Sequence, residues 1–324
     1  MKRLCFLVIC MSIIMGCSTS TSSTKALVDY VDPNIGTAHC RWFFYTPAAI
    51  PFGMAKLAPS TDAHLGNPGG WQAVGYDFRH TSIEGFANFH EFQVGGVVFA
   101  PTVGELQTVP GELENPDGGY RSRFDKKDEV AAPGYYSVLL KDYGVKAELT
   151  AMKRVGFHRY TYPKTEQANL IFDIGNKQGE SGEVKDAEVQ YFEDGRVEGY
   201  VITSPVYVNI YQKGADVRMY FSAVLNKKPV QVGTFVKDVV NPGKYQEKGP
   251  GAGLYMTFST EEQEAVEVKV GLSYTSIENA RFNRETEAAD VTFDQAKKNA
   301  TDVWNESLSR IYVEGGKETD KVKY

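Results

Sequence analysis

Cysteine is scarce in this chain of 324 residues, and where it occurs it is badly placed to build a scaffold. Cys5 and Cys10 fall in an apolar leader, Cys17 directly follows it, and Cys40 alone remains for the rest of the chain. No internal disulfide can then form, so stability has to come from a packed core, for which 42% hydrophobic residues suffice. Cys40 follows His39, but neighbours on an extended strand point to opposite faces, so a packed or pocket-lining thiol is expected rather than a nucleophile pair. Histidine is sparse as well: among His39, His64, His80, His90 and His158 no two stand four apart, which excludes a zinc pair on one helix face. Basic stripes are absent. Lysine and arginine number 35 against 41 acids, spread without a long block of one sign, and this excludes nucleic acid as a partner. There is no nucleophile elbow, no Walker loop and no dinucleotide fingerprint behind a strand. The acids Glu84, Glu91, Asp173, Glu261 and Glu262 show no spacing that fixes a pair for acid/base work, and read as solvated or strand-edge groups.

What is present begins with a leader. Lys2 and Arg3 precede the apolar run LCFLVICMSIIM, which is too short for a convincing membrane span, and Ile14-Met15-Gly16-Cys17 resembles a bacterial lipobox. Residues 1–16 are therefore expected to be a signal peptide, Cys17 the lipidated first residue of the mature chain, and residues 17–26 a flexible tether. The expectation is a periplasmic protein held to a membrane by lipid, with an ordinary cleaved signal peptide as the alternative reading. Losing Lys2 and Arg3 takes the formal charge from −6 to −8 and suits neutral partners.

The middle of the chain is written in strands. Val145, Ala147 and Leu149 alternate with Lys146, Glu148 and Thr150, and Lys141 to Gly144 supplies a turn before them. Similar runs follow, with Asp194-Gly195 as a hairpin signal. Short turns and no helix between strands predict an all-β fold, a large antiparallel β-sandwich over residues 27–275. A helical linker is predicted over 276–316, with Phe293, Ala296, Ala300, Val303, Trp304, Leu308 and Ile311 forming the stripe of one long helix that stops at Gly315-Gly316. Residues 317–324 begin a further element, as a fragment of a longer protein would.

The segment Gly69 to Gly96, GGWQAVGYDFRHTSIEGFANFHEFQVGG, mixes rings, short hydrogen-bonding side chains and glycine with few aliphatics. That composition suits a ligand wall better than a core: rings to stack, polar groups to bind hydroxyls, glycine to let backbone approach.

Several segments carry a family resemblance. VDPNIGT at Val31 to Thr37, YTPAAIPFGMAKLAPSTD at Tyr45 to Asp62, GYDF at Gly75 to Phe78 and SIEGFANFHEF at Ser82 to Phe92 resemble the opening motifs of glycoside hydrolase family 92. GYYSVLL, RVGFHRYTYP, IFDIGN and SIENARFNRETEAA continue the likeness in the same order. The resemblance implies a calcium-dependent exo-α-mannosidase of inverting stereochemistry. It also implies an N-terminal β-sandwich of supersandwich type, a helical linker and a C-terminal (α/α)6 barrel that supplies the catalytic acid, the base and the main calcium ligands. In this chain it points to Gly36, Trp71, Tyr76, Asn88 and His90 as residues of the sugar pocket, with Asn88 standing where the family carries the first histidine of a Phe-Ser-His-Thr-His run. The partners implied are a mannoside glycan, the membrane through the lipid and the barrel. The reading from another class is a stand-alone carbohydrate-binding or interaction module without chemistry.

Overall fold

A computed structural model describes residues 25–38, 45–63, 75–91, 94–179 and 181–323. The expected signal peptide, Cys17, most of the tether, His39, Cys40, His64 and Trp71 lie outside the described residues.

Among the described residues two large antiparallel sheets face each other. One has seven strands, in spatial order Ala58–Ser60, Gly85–Glu91, Val94–Val103, Thr165–Asp173, Ala252–Thr260, Gln231–Val236 and Val239–Pro242. The other has nine: Gln246–Lys248, Glu183–Tyr191, Val197–Ser204, Val217–Leu225, Glu264–Ser273, Val155–Tyr162, Val145–Ala151, Tyr135–Leu140 and Val130–Ala132. A two-stranded ladder pairs Ser82–Ile83 with Ser122–Arg123. The expected antiparallel sandwich is thus the observed fold. Its core lies between the sheets, where Leu149, Leu170, Phe172, Phe221, Leu254, Met256 and Val268 are buried and the Phe99 and Phe172 rings meet at 4.1 Å. Burying side chains of this size contributes roughly 1.5–3 kcal/mol each, the driving term for a chain without disulfides.

The turns do what their residues require. Gly144 (φ +63°) closes the Lys141–Gly144 turn, and Gly195 (φ +87°) closes the hairpin between Glu183–Tyr191 and Val197–Ser204. Val145, Ala147 and Leu149 point inward as the alternation predicts, but Glu148 and Thr150 are buried too. Helix packing on the outer face explains this. Tyr135 donates from its hydroxyl to Glu148 at 2.6 Å, and Thr150 donates to the Gly134 carbonyl at 2.7 Å.

The helices are α1 (Val206–Tyr211), α2 (Ile277–Ala288), α3 (Phe293–Leu308) and α4 (Glu318–Lys323). The helix expected from the stripe that begins at Phe293 is α3, which ends at Leu308 and leaves Ile311 exposed beyond it, while the earlier part of the linker forms a separate helix, α2. The break has a local cause. Thr292 accepts from the Gln295 amide while the Gln295 side chain accepts from the Thr292 amide, a capping box that starts a new helix at Phe293, where the stripe begins. Ser276 caps α2 in the simpler way, accepting from the Asn279 amide. Helix α2 docks through polar groups: Arg281 grips the buried Glu198 at 2.7 and 2.6 Å, and Asn283 donates to the Leu272 carbonyl at 2.8 Å. Helix α3 buries Phe293, Ala296 and Ala300, and Trp304 donates from its indole nitrogen to the Ala49 carbonyl at 2.7 Å. A Cβ on Gly134 would stand 2.6 Å from that of Ala300, so the close approach of α3 needs glycine there. No helix among the described residues is long and apolar enough to cross a membrane.

Candidate functional site

A group of buried polar residues, Ser60, Thr61, Asp77, Glu84 and Arg121, gathers where the strand Ala58–Ser60 runs into the segment that returns at Gly75. Its two ends are clamped together, with the Thr61 and Asp62 amides donating to the Gly75 carbonyl at 2.7 and 3.3 Å. Glu84 holds the lead-in, accepting from Ser60 at 2.5 Å and from the Ala63 amide at 2.7 Å. Trp71 therefore belongs to a segment with closed ends, although Trp71 itself is outside the described residues.

Around this neck lie groups that sequence reading did not single out. The Thr61 hydroxyl stands 2.9 Å from His80 Nδ1 and accepts from the Asp77 amide at 3.1 Å. His80 is half-buried and its pKa is lowered, by burial first, against the Asp77 charge that raises it. Arg121 is 2% exposed and donates from Nη2 to the Thr61 carbonyl, while its Nε and Nη1 have no hydrogen-bond partner. Gln178, 3% exposed, packs its stem against Gly75 and Gly95, and both atoms of its amide also lack a partner. Buried polar groups are nearly always satisfied, so orphaned donors on both flanks of one neck mark a place completed by something outside the described residues. No sequence signal could have found them: an arginine in a loop and a glutamine after IFDIGN look like surface residues.

The five residues expected in the sugar pocket fare differently. Gly36 sits in an exposed turn (φ +83°), next to Thr37, whose carbonyl accepts from the Phe78 amide, so it lies at the rim of this region. Tyr76 is adjacent in sequence to the neck, yet it is 1% exposed and donates to Glu129 at 2.9 Å. Glu129 also accepts from Tyr136 at 2.8 Å and from Lys126 at 2.8 Å. Burial and the Glu129 charge raise the Tyr76 pKa far above its ordinary value. Tyr76 is thus a fixed interior donor to Glu129, directly beside Gly75 at the neck.

Asn88 is an interior residue as well. It is fully buried, donating to the Val97 carbonyl at 2.8 Å and accepting from His158 Nε2 at 2.8 Å, while Tyr160 donates to His158 Nδ1 at 2.8 Å. Its amide is committed to joining the two sheets. His90 is fully buried, with its ring stacked on Tyr45 at 4.6 Å and 21°, and burial lowers its pKa to about 3. The reason is common to both: the strand Gly85–Glu91 lies between two partners with both faces covered, so alternation does not turn either side chain outward.

No three His, Cys, Asp or Glu converge among the described residues in a way that could hold a metal ion. These residues do not fit a calcium site. The buried carboxylates already serve the fold: Glu148 takes Tyr135, Asp173 takes Tyr120, Glu198 takes Arg281, and Glu247 takes Thr234 and Lys244.

Three comparisons bear on this geometry. The description "Glycosyl hydrolase family 92 N-terminal domain" matches residues 30–273. No curated protein matches the sequence. Among solved structures, the family GH92 α-mannosidase of Bacteroides thetaiotaomicron superposes with a TM-score of 0.81 at 29% identity, over 92% of this chain and 40% of that one. Its complex with mannoimidazole gives 0.80 at 29%, over 92% and 39%. A family GH92 inverting mannosidase of Bacteroides thetaiotaomicron VPI-5482 gives 0.75 at 22%, over 93% and 39%, a likeness of fold. The chain thus spans about 40% of the length of the mannosidases it matches. It belongs to glycosyl hydrolase family 92, and what it contains is the family's N-terminal domain.

Proposed function

We propose that this chain is the sugar-binding flank of an α-mannoside hydrolase, and that the reacting carboxyls come from a helical domain it does not contain. The observation that supports this most is the superposition at 29% identity on an α-mannosidase that binds mannoimidazole and is more than twice as long. In this reading the segment between Thr61 and Gly75 forms a wall. The Trp71 ring packs against the apolar face of a sugar, and Arg121 and Gln178 steady the neck and complete their hydrogen bonds against the wall or its ligand. The chemistry proposed is inverting hydrolysis, in which an acid and a base about 6.5–9.5 Å apart leave room for water. The buried carboxylates Glu148, Asp173, Glu198 and Glu247, tied to tyrosine, arginine, threonine and lysine, take no part in it. The calcium that the family resemblance implies belongs in this proposal to the helical domain, where it would help bind the sugar hydroxyls. Lipid on Cys17 would hold the enzyme outside the cytosol.

The test is hydrolysis of an α-mannobiose by this chain alone and by the chain joined to a family helical domain. The chain alone is expected to be inert and the joined protein active, with Trp71→Ala lowering its turnover. Robust mannose release by the chain alone would overturn the assignment. A well-behaved monomer that gains nothing from the helical domain would favour a stand-alone module.

A further inference from the structure

A cavity of about 540 Å³ opens on the outer face of the seven-stranded sheet, away from the core. Phe172 points into the core, so its neighbour Asp173 points outward and lines this cavity. The Asp173 carboxylate is held in one orientation, accepting from Tyr120 at 2.7 Å and from the Asn176 amide at 2.9 Å. The wall is the loop from Thr108 to Gly118, which carries Glu112 and Asn115. Thr108 donates to the Lys237 carbonyl at 2.7 Å and so ties the loop to the hairpin that brings Lys237 to the rim. The back is kept thin by glycine: a Cβ on Gly175 would stand 2.3 Å from the Ala252 nitrogen.

The volume falls within the ordinary range for small-ligand sites, roughly 300–1,000 Å³. The chemistry narrows the occupant. Two carboxylates outnumber one ammonium, which disfavours an anion, and the density of polar groups disfavours an apolar ligand. A pyranose offers hydroxyls that both donate and accept, matching two carboxylates and two amides, of which Asp173 and Asn176 are already oriented by their mutual hydrogen bond. We propose that this cavity binds one neutral pyranose unit of a glycan, at a place separate from the wall between Thr61 and Gly75. Asn176 lines the cavity, and two residues later Gln178 packs on Gly75 and Gly95. One short loop therefore joins the cavity to the Gly75 end of that segment. The idea rests on the reading that the ligand of this chain is a glycan.

The experiment is titration of the full chain with methyl α-D-mannopyranoside, glucose, galactose and N-acetylglucosamine, followed by calorimetry and saturation-transfer NMR. Asn176→Ala and Glu112→Ala are each expected to weaken binding at least about 10-fold, while Ile311→Ser, at an exposed position outside the cavity lining, leaves it unchanged. Glu112 is on the exposed rim, so its variant keeps the test open should Asn176→Ala fold poorly. Binding that is lost in Trp71→Ala and kept in both cavity variants would overturn the proposal, as would no binding of any of the four sugars. Binding of another pyranose but not the mannoside, lost in the cavity variants, would support the cavity while telling against mannose as the enzyme's sugar.

Discussion

Asn88 Oδ1 accepts a hydrogen bond from His158 Nε2 across 2.8 Å, joining one strand of each sheet in the middle of the sandwich. The pair is embedded: a Cβ on Gly156 would stand 3.0 Å from the same Asn88 oxygen. Asn88→Ala would leave the His158 donor and the Val97 carbonyl buried and unmet. We expect a loss of about 2–4 kcal/mol in stability, read from urea denaturation, whereas sugar binding at the mouth should survive in the folded fraction. A variant as stable as the parent would show that the bridge contributes nothing.

Acid should weaken the fold early. His90 and His158 are both neutral in the interior, burial lowering each to about 3. Their unfolded counterparts protonate near 6.5. Between those values the unfolded chain binds protons that the native chain refuses, so stability falls as pH drops from about 6.5 towards 3, by up to ~1.4 kcal/mol per pH unit for each histidine. Denaturation midpoints at pH 7.5, 6.5, 5.5 and 5.0 should be level between the first two and then decline. His158→Gln should flatten part of the slope.

Glu198 fastens the linker to the sandwich. It is 2% exposed and accepts from Arg281 and Ser222, with Arg196 2.9 Å away. Burial alone would raise its pKa, but the hydrogen bonds from Arg281 and Ser222 and the Arg196 charge bring it below the usual value. Glu198→Ala leaves the arginines without their counter-charge and is expected to destabilise by about 3–5 kcal/mol. Limited proteolysis should then cut within α2 before it cuts the sheets.

The break between α2 and α3 depends on one side chain. Thr292→Ala removes the cap of α3 and should lower stability by about 1 kcal/mol, with Thr292→Ser restoring most of it. Equal stability of all three proteins in thermal denaturation would assign the break to other contacts.

Phe52 is fully exposed with a φ of +58°, a backbone conformation that is strained for a bulky residue. Phe52→Gly should stabilise this chain by about 1 kcal/mol. If Phe52 packs on the proposed helical domain, the same change should weaken the joined protein's interdomain contact, measurable as earlier separation of two thermal transitions. A destabilised isolated chain would show that the strain argument is wrong.

The sequence by itself determined the architecture. Alternation and turn chemistry are local properties, so Val145, Ala147 and Leu149, Gly144 and Asp194-Gly195 declared strands and hairpins without knowledge of their neighbours. The ordered motifs from Val31 to Asn176 carried the family. The start of α3 was also present in the letters, since threonine followed three residues later by glutamine is a helix start and the apolar stripe begins at Phe293 directly after it. The tertiary structure alone decided which polar residues are buried and what they bond. Asn88 and His90 look like hydroxyl binders in the segment Gly69 to Gly96, yet their strand is covered on both faces and their hydrogen bonds are turned inward. Arg121, Gln178 and Asp173 look ordinary in sequence and become notable only because distant loops fold around them. Burial is set by what lies across from a residue, and neither period nor composition records that.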